Sequence, residues 1–391
     1  MTDTPITDAF LYDRSGHRYN IADPRWRGDD GTALAMSALP GITPDRIVTS
    51  ERSLWRYQAA IPVDARHRVS LGEGCTPMVP MDWAGRRVHF KLEWFNPTSS
   101  FKDRGVAVMV SHLRGQGADY VLEDSSGNGG SSVAAYSAAA GIRAKIIVPE
   151  STSAAKILQV RAYGAQIELV AGTREQVSQE AIRQSEQIRY ASHNWHPFFL
   201  QGTKTVAYEM WEDLGFQAPD NVVLVAGAGS NVLGCDIAFS ELLGAGQIAH
   251  RPRLFVGQPE HWATIADTVN GLDPADREPR VPTIAEGAAI ADPVRLPEAV
   301  EAIRRSGGAA VAVSEEMIRK SVRKLASRGL YAEPTSCVAA AALDHFIAAG
   351  AIGENETTVV VLTGAGTKSS EKTAGIFDED RTSHQGQGAR A

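Results

Sequence analysis

Cysteine is scarce in this chain: three residues in 391, Cys75, Cys235 and Cys337, odd in number and far apart. That usage excludes a disulfide framework and a clustered zinc site as the basis of the fold. Long apolar runs are missing too. Nothing approaches the roughly eighteen consecutive apolar residues of a membrane-spanning helix, and Met1 to Phe10 lack the apolar core of a secretory signal. The formal net charge is −7, with no concentrated basic face, so nucleic acid is not an expected partner. What is there is a chain with 43% hydrophobic residues, enough for two cores. The expectation is a soluble, cytoplasmic, two-lobed protein that spans no membrane.

The most informative stretch runs from Lys91 to Gly105. Val88, Phe90 and Leu92 alternate with polar residues, as in a strand. Asn96-Pro97-Thr98-Ser99-Ser100 is turn chemistry, and Thr98, Ser99 or Ser100 can cap a helix that begins near Phe101. Lys102 then sits at a helix N-terminus, whose partial positive charge favours the neutral amine, the form that attacks a carbonyl. Taken alone, a lysine in a first turn is ordinarily a solvated surface residue; its company along the chain changes the reading.

Upstream, Leu11 to Tyr19 reads as a hairpin turned at Ser15-Gly16, and Asp45 to Tyr57 as a short helix with Trp55 and Tyr57 inward. Ser70-Leu71-Gly72-Glu73-Gly74-Cys75-Thr76-Pro77 is a glycine-rich turn. Downstream, strand Tyr120 to Glu123 runs into Asp124-Ser125-Ser126-Gly127-Asn128-Gly129-Gly130-Ser131-Ser132, followed by a helix from Val133 to Ala140. Such a strand-loop-helix presents backbone N–H groups to an anion. Strands at 144–148 and 166–170 alternate with helices at 154–163 and 174–186, which implies a parallel sheet. A second anion cup follows strand Asn221 to Val225, in Gly227-Ala228-Gly229-Ser230-Asn231, before a helix at 237–243. A dinucleotide fingerprint is the alternative there, but the glycine spacing is wrong for it and no acidic residue closes a second strand about twenty residues on. Strands at 253–257, 310–313 and 357–362 complete the pattern, with Ser314-Glu315-Glu316 as a helix cap.

Asn96-Pro97-Thr98-Ser99-Ser100-Phe101-Lys102-Asp103-Arg104-Gly105 resembles the lysine motif of the threonine synthase family, N-P-T-G-S-F-K-D-R-G. Ser99 stands where the family usually has glycine. Further motifs follow in family order: Ser70 to Pro77 is similar to S-L-G-E-G-x-T-P, Ser125-Ser126-Gly127-Asn128 to S-S-G-N-T, the Gly227 loop to V-G-N-G-T, Thr283-Ile284-Ala285-Glu286-Gly287 to T-I-A-E-G, Glu333-Pro334-Thr335-Ser336 to E-P-T-S, and Leu362-Thr363-Gly364-Ala365-Gly366 to L-T-G-x-G. The resemblance covers roughly Ser70 to Lys368.

It implies an α/β fold of the two-lobed fold type II (tryptophan synthase β-like) class, with parallel-type twisted sheets flanked by helices, and pyridoxal 5′-phosphate as cofactor. It implies that Lys102 is the catalytic residue and holds the cofactor through a Schiff base. It assigns Asn128, Gly227, Ala228, Gly229, Ser230, Asn231, Glu286 and Thr363 to cofactor binding, and Ser125, Ser126, Gly127 and Asn128 to the substrate α-carboxylate. The family's last Thr in S-S-G-N-T is Gly129 here, so a hydroxyl contact is lost unless Ser131 replaces it. Cysteines that form a zinc ribbon in family members are Tyr12 and Ser15 here, so no metal is expected. The implied division is residues 1–60 as an extension with a hairpin lacking zinc, 61–195 as the first lobe, 196–375 as the second lobe with the phosphate loop, and 376–391 as a disordered tail. A homodimer is expected.

The implied reaction is lyase chemistry on an amino acid: α-proton abstraction, then elimination or replacement of a β- or γ-substituent. One departure bears on the substrate. Threonine synthases carry N-S-x-N-P-x-R before the second lobe, and that Arg serves the phosphate of O-phosphohomoserine. This chain reads His193-Asn194-Trp195-His196-Pro197-Phe198-Phe199, and a phenyl ring cannot pair with a phosphate dianion. The alternatives are threonine synthase proper, with Lys204 or Arg104 holding the phosphate, or a non-catalytic binding protein that keeps the fold. His193 and His196 are candidate side-chain contacts, with a structural role the commoner outcome.

Overall fold

The computed structural model describes residues 8–277 and 279–385. The chain forms two units. The first gathers the described residues up to Thr76, together with Phe95–Ala218 and Leu233–Arg251; the second gathers Pro77–Trp94, Pro219–Val232 and the described residues from Pro252 onward.

The first unit is built on a four-stranded parallel sheet in the order Gln166–Val170, Arg143–Pro149, Tyr120–Glu123, Arg189–Tyr190. Helices Asn128–Ala140, Ala154–Ala162 and Arg174–Gln184 connect these strands, as parallel pairing requires. Helix Lys102–Gly115 is buried along most of its length, and helix Pro197–Thr203 crosses it at very short range. A Cβ added at Gly202 would overlap the Arg104 carbonyl oxygen, and one at Gly105 would run into the Phe199 ring. Glycine is what lets these two backbones approach.

The amino-terminal segment belongs to this unit rather than standing apart as an extension over 1–60. Its strands Arg18–Asn20, Phe10–Tyr12 and Ala35–Met36 form a small antiparallel sheet, and Trp26 packs edge-on against both Tyr190 and Trp195. The hairpin turn is held by Asp13, whose carboxylate accepts from Ser15 Oγ at 2.7 Å, the His17 amide at 3.0 Å and Tyr19 OH at 2.6 Å. The Ser15 and Tyr19 hydroxyls hold its pKa down at about 2. The helix expected over 45–57 is instead two separate 3-10 turns, Pro44–Arg46 and Leu54–Ala60, although Trp55 and Tyr57 are buried as expected.

The second unit carries a six-stranded sheet in the order Ala309–Val313, Arg253–Pro259, Asn221–Val225, Thr358–Leu362, Arg86–Leu92, Met78–Trp83. Five strands are parallel and only the last pairs antiparallel. Asn221–Val225 and Thr358–Leu362 are buried throughout, as central strands covered on both faces must be. Helix Pro334–Ala348 is alanine-rich because it lies directly on the sheet: a Cβ at Gly257 would come within 2.8 Å of the Ala342 Cβ.

Three linear expectations therefore shift. Residues 78–92 precede the lysine helix in sequence yet join the second sheet, because Thr358–Leu362 offers Arg86–Leu92 a parallel partner. Residues 197–213 belong to the first unit, because Gly105 and Gly202 dock their helices. The tail expected to be disordered from 376 is helical over Ser370–Gln385, anchored by fully buried Ile376, whose carbonyl accepts from Arg323 at 2.8 Å; residues 386–391 lie outside the described residues. Gly202→Ala is expected to lower stability by about 1–3 kcal/mol through overpacking, read as a fall in the thermal midpoint. An unchanged midpoint would mean that the close helix approach is not needed.

Candidate active site

Lys102 is the first residue of helix Lys102–Gly115, as the sequence predicts, but the cap differs. Phe101 occupies the N-cap with helical φ and no side-chain cap bond. Thr98 turns its hydroxyl onto Asp103 Oδ1 and its amide onto Oδ2, both at 2.6 Å, and Ser132 donates to the same Oδ1 at 2.6 Å. Asp103 thus ties the turn before Lys102, the helix after it and helix Asn128–Ala140 together. Ser99 has φ +65, the left-handed region that favours glycine.

The glycine-rich turn at 70–77 is fixed to the same helix. Arg104, wholly buried, meets both Glu209 oxygens at 2.7 Å, and Glu209 also accepts from the Cys75 amide at 2.7 Å and the Thr76 amide at 3.2 Å. Asn96 Oδ1 accepts from the Gly74 amide at 2.9 Å. Glu73 is buried and accepts from the Leu71 amide and Tyr136 OH, both at 2.8 Å; burial raises its pKa against those bonds.

Ser125, Ser126 and Gly127 form the turn after strand Tyr120–Glu123, and Asn128 opens the next helix. That helix starts five residues earlier than predicted, so the Asn128-Gly129-Gly130 stretch is its first turn, with Gly127 at the N-cap. The side of this turn is crowded. A Cβ at Gly129 would lie 2.7 Å from His193 Nδ1 and 3.0 Å from Ser125 Oγ, and one at Gly130 would overlap the Ser125 carbonyl. The space of the side chain that Gly129 lacks is therefore filled by the His193 imidazole, not by Ser131.

His193 is buried and bonds through Nδ1 to Glu123 Oε1 at 2.6 Å, while its amide donates to Glu123 Oε2 at 3.2 Å. Burial pushes Glu123 up to about 8, against the pull of the His193 amide, Lys102 and Arg174. Burial, and then Lys102, push His193 well below the ordinary histidine value. Phe199 packs edge-on to His193, with centroids 5.8 Å apart, and its centroid lies 5.5 Å from Lys102 Nζ. The two other basic groups considered for a phosphate are both committed. Arg104 is paired with Glu209. Lys204, wholly buried, lies 2.9 Å from Glu241, which also accepts from Tyr208.

The second unit holds the other predicted residues. Strand Asn221–Val225 leads into Gly227, Ala228 and Gly229, and Ser230 and Asn231 open helix Ser230–Gly244. This helix begins seven residues earlier than predicted, within the loop itself. Gly229 has φ +86, and a Cβ at Gly227 would lie 2.8 Å from the Gly287 carbonyl. A side-chain-free loop running into a long helix suits a phosphate group. Thr363, buried at the end of strand Thr358–Leu362, lies 2.9 Å from Ser336 Oγ, and Ser336 also accepts from the Gly364 amide at 2.8 Å. Thr335 Oγ1 accepts from the Gly287 amide at 3.1 Å. The Glu333-Pro334-Thr335-Ser336 motif thus holds both the Glu286-Gly287 segment and Thr363, a supporting role that sequence reasoning left undecided. Glu286 is exposed, and its carboxylate pairs with Lys372 at 2.5 Å.

Taken unit by unit, the residues suit parts of pyridoxal phosphate: in the first, a lysine at a helix start; in the second, a glycine cup opening a fifteen-residue helix and a buried hydroxyl at a strand end. What sequence reasoning missed was the occupant of the space beside Gly129: His193, whose only signal was the glycine at the start of a buried helix. Two substitutions check this geometry. Ser99→Gly is expected to raise the thermal midpoint, worth about 0.5–1 kcal/mol, by relieving the left-handed serine. Ser336→Ala is expected to cost about 1–3 kcal/mol by leaving the Gly364 amide without its acceptor. A loss of stability in the first, or none in the second, would show the local geometry to be otherwise.

Comparison with known proteins agrees with this chemistry. Residues 69–364 match the family described as pyridoxal-phosphate dependent enzyme. Threonine synthase from Methanocaldococcus jannaschii is 32% identical over 338 residues, covering 84% of this chain and 83% of that one. Threonine synthase from Methanosarcina acetivorans is 31% identical over 354 residues, covering 86% and 85%. Among solved structures, the processed form of threonine deaminase isoform 2 from Solanum lycopersicum superposes with TM-score 0.66 at 22% identity, covering 86% of this chain and 89% of that one. O-ureido-L-serine synthase superposes with TM-score 0.63 at 22% identity, covering 75% and 90%. Both likenesses are of fold. The motifs, the family match and the threonine synthase relatives together place this chain in the pyridoxal-phosphate-dependent enzyme family, as a threonine synthase-like lyase of fold type II.

Proposed function

We propose that this lyase acts on an amino acid whose β- or γ-substituent is not a phosphate. When bound, pyridoxal phosphate supplies the electron sink that stabilises negative charge at the substrate α-carbon. Lys102 would hold the cofactor covalently, and its neutral amine, at the helix start, would serve as the base that takes the substrate α-proton. Gly227, Ala228, Gly229, Ser230 and Asn231 would hold the cofactor phosphate, and Thr363, whose hydroxyl is bonded to Ser336, would serve the ring nitrogen. Asn128 would serve the ring oxygen, and Glu286, held by Lys372, would border the cofactor. Ser125, Ser126, Gly127 and Asn128 receive the substrate α-carboxylate. Loss of the β- or γ-substituent is completed either by hydrolysis of the released unsaturated amino acid to ammonia and a keto acid, or by addition of another nucleophile in place of the substituent.

The observation that carries the choice of substrate is Phe199. Its buried ring faces Gly105 and lies near Lys102, in the register where threonine synthases carry a phosphate-binding Arg. Neither Arg104 nor Lys204 is placed to substitute, since removing either from its buried carboxylate would leave that charge unpaired. A phenyl wall suits a neutral leaving group such as hydroxyl. The second reading, threonine synthase proper, draws support from the relatives' names. A cytoplasmic homodimer is the expected form.

A screen of purified holoenzyme decides between them. Serine-like amino acids are expected to shift the visible cofactor band and release ammonia or a keto acid. O-phosphohomoserine is expected to give little phosphate. Threonine and phosphate from O-phosphohomoserine at a rate matching or exceeding the best other amino acid would refute the proposal. Lys102→Ala is expected to lose turnover by about 10²–10⁴-fold or more and the protein-bound cofactor band with it.

A further inference from the structure

The buried His193–Glu123 pair has no part in the reaction as proposed so far. It occupies the side of the first turn of helix Asn128–Ala140, where the Gly129 Cβ would project 2.7 Å from Nδ1 and 2.8 Å from Cε1. Ser125 Oγ flanks the same point at 3.0 Å. Nδ1 is committed to Glu123. Nε2 makes no hydrogen bond among the described residues, although the side chain is only 6% exposed. A thirteen-residue helix presents its N-terminal amides on one side of this point, and the Lys102 charge is felt by both members of the pair.

We propose that His193, oriented by Glu123, is a specificity-determining residue that receives the α-carboxylate of the amino-acid substrate beside the Ser125–Asn128 turn. The assignment rests on the reading that this turn takes the carboxylate. It adds a charged donor where the chain has given up a side chain at position 129. Glu123 acts through His193 and is a positioning residue.

The proton balance follows from the pair's surroundings. The groups facing it are Lys102 on its own helix, Asp124 and Arg174, with Tyr190 donating to Asp124 at 2.7 Å. With Glu123 pushed up to about 8, the pair as a whole holds one proton beyond the ring's own near neutral pH. When a carboxylate arrives, that proton sits on the imidazole. Nδ1–H then donates to a charged Glu123, and Nε2–H donates to the ligand. As pH rises through about 8 the extra proton is lost and the pair becomes a net anion, which repels the carboxylate. Carboxylate affinity therefore falls on the alkaline side.

The test compares propionate with propionamide, measured by ligand-observed NMR on the holoenzyme. Neither has an amine or a leaving group, so binding is read without turnover. Wild type is expected to prefer propionate, with an affinity that falls above about pH 8 while that of propionamide stays flat. His193→Ala is expected to weaken propionate about 10–100-fold, the loss of one charge-assisted hydrogen bond, with propionamide unchanged. His193→Gln keeps a neutral donor but cannot carry the Glu123 proton to the ligand, so it is expected to retain part of the affinity and lose most of the preference for propionate over propionamide. Glu123→Gln is expected to weaken propionate at neutral pH and shift the profile to lower pH. Equal weakening of both ligands in His193→Ala, or a flat wild-type propionate profile from about pH 6 to 9, would overturn the assignment. If His193→Ala does not fold, the wild-type profile and His193→Gln decide. Failure of the amino-acid screen with a positive propionate result would reject the lyase reading alone; the reverse would reject this assignment alone.

Discussion

Arg104 lies two residues after Lys102, wholly buried, with its guanidinium against both oxygens of Glu209. A buried ion pair is costly to assemble, and breaking one leaves an uncompensated charge at a cost of about 3–5 kcal/mol. Here the cost is spread over further bonds. Glu209 also receives the amides of Cys75 and Thr76, and Arg104 reaches the Thr76 and Thr205 hydroxyls at 3.2 Å. One buried carboxylate thereby fixes the lysine helix, the glycine-rich turn at 70–77 and helix Thr205–Asp213 to each other. Asp103 does the same on the other side of the chain, joining Thr98 to Ser132. The position of Lys102 follows from these two flanking residues, because a long, mobile amine cannot position itself.

Close backbone approach is the second constraint. Gly105 and Gly202 let two helices touch, and that contact presents Phe199 to the lysine. Gly129 admits an imidazole, and Gly227 admits the Gly287 carbonyl. In each case a missing side chain on one element makes room for a named group on another. In the second unit the Glu333-Pro334-Thr335-Ser336 run performs the complementary task with hydroxyls, holding Gly287 through Thr335 and Thr363 through Ser336.

Much of the fold was legible in the chain. Strand Asn221–Val225 lies where its apolar run places it, because a strand buried on both faces must be apolar. The helices after the two anion-binding turns were placed five and seven residues late. Glycine and serine read as loop, whereas in the fold they form first helical turns. The candidate site was proposed from residue type at Lys102, Asn128 and Thr363, which stand at two helix starts and just past a strand end. It was hidden where support comes from distant sequence: Glu123 and His193 are seventy residues apart, and Arg104 and Glu209 over a hundred.

By itself the sequence determined the class of chemistry and the α/β architecture with parallel strands, because those rest on local patterns: alternation, turn residues and motif order. Only the tertiary structure decided which unit each segment joins, what fills the space beside Gly129, and which basic groups are already paired. Those depend on burial and on partners far along the chain. A cation's availability is set by whether a carboxylate has been folded against it, and no local pattern carries that information.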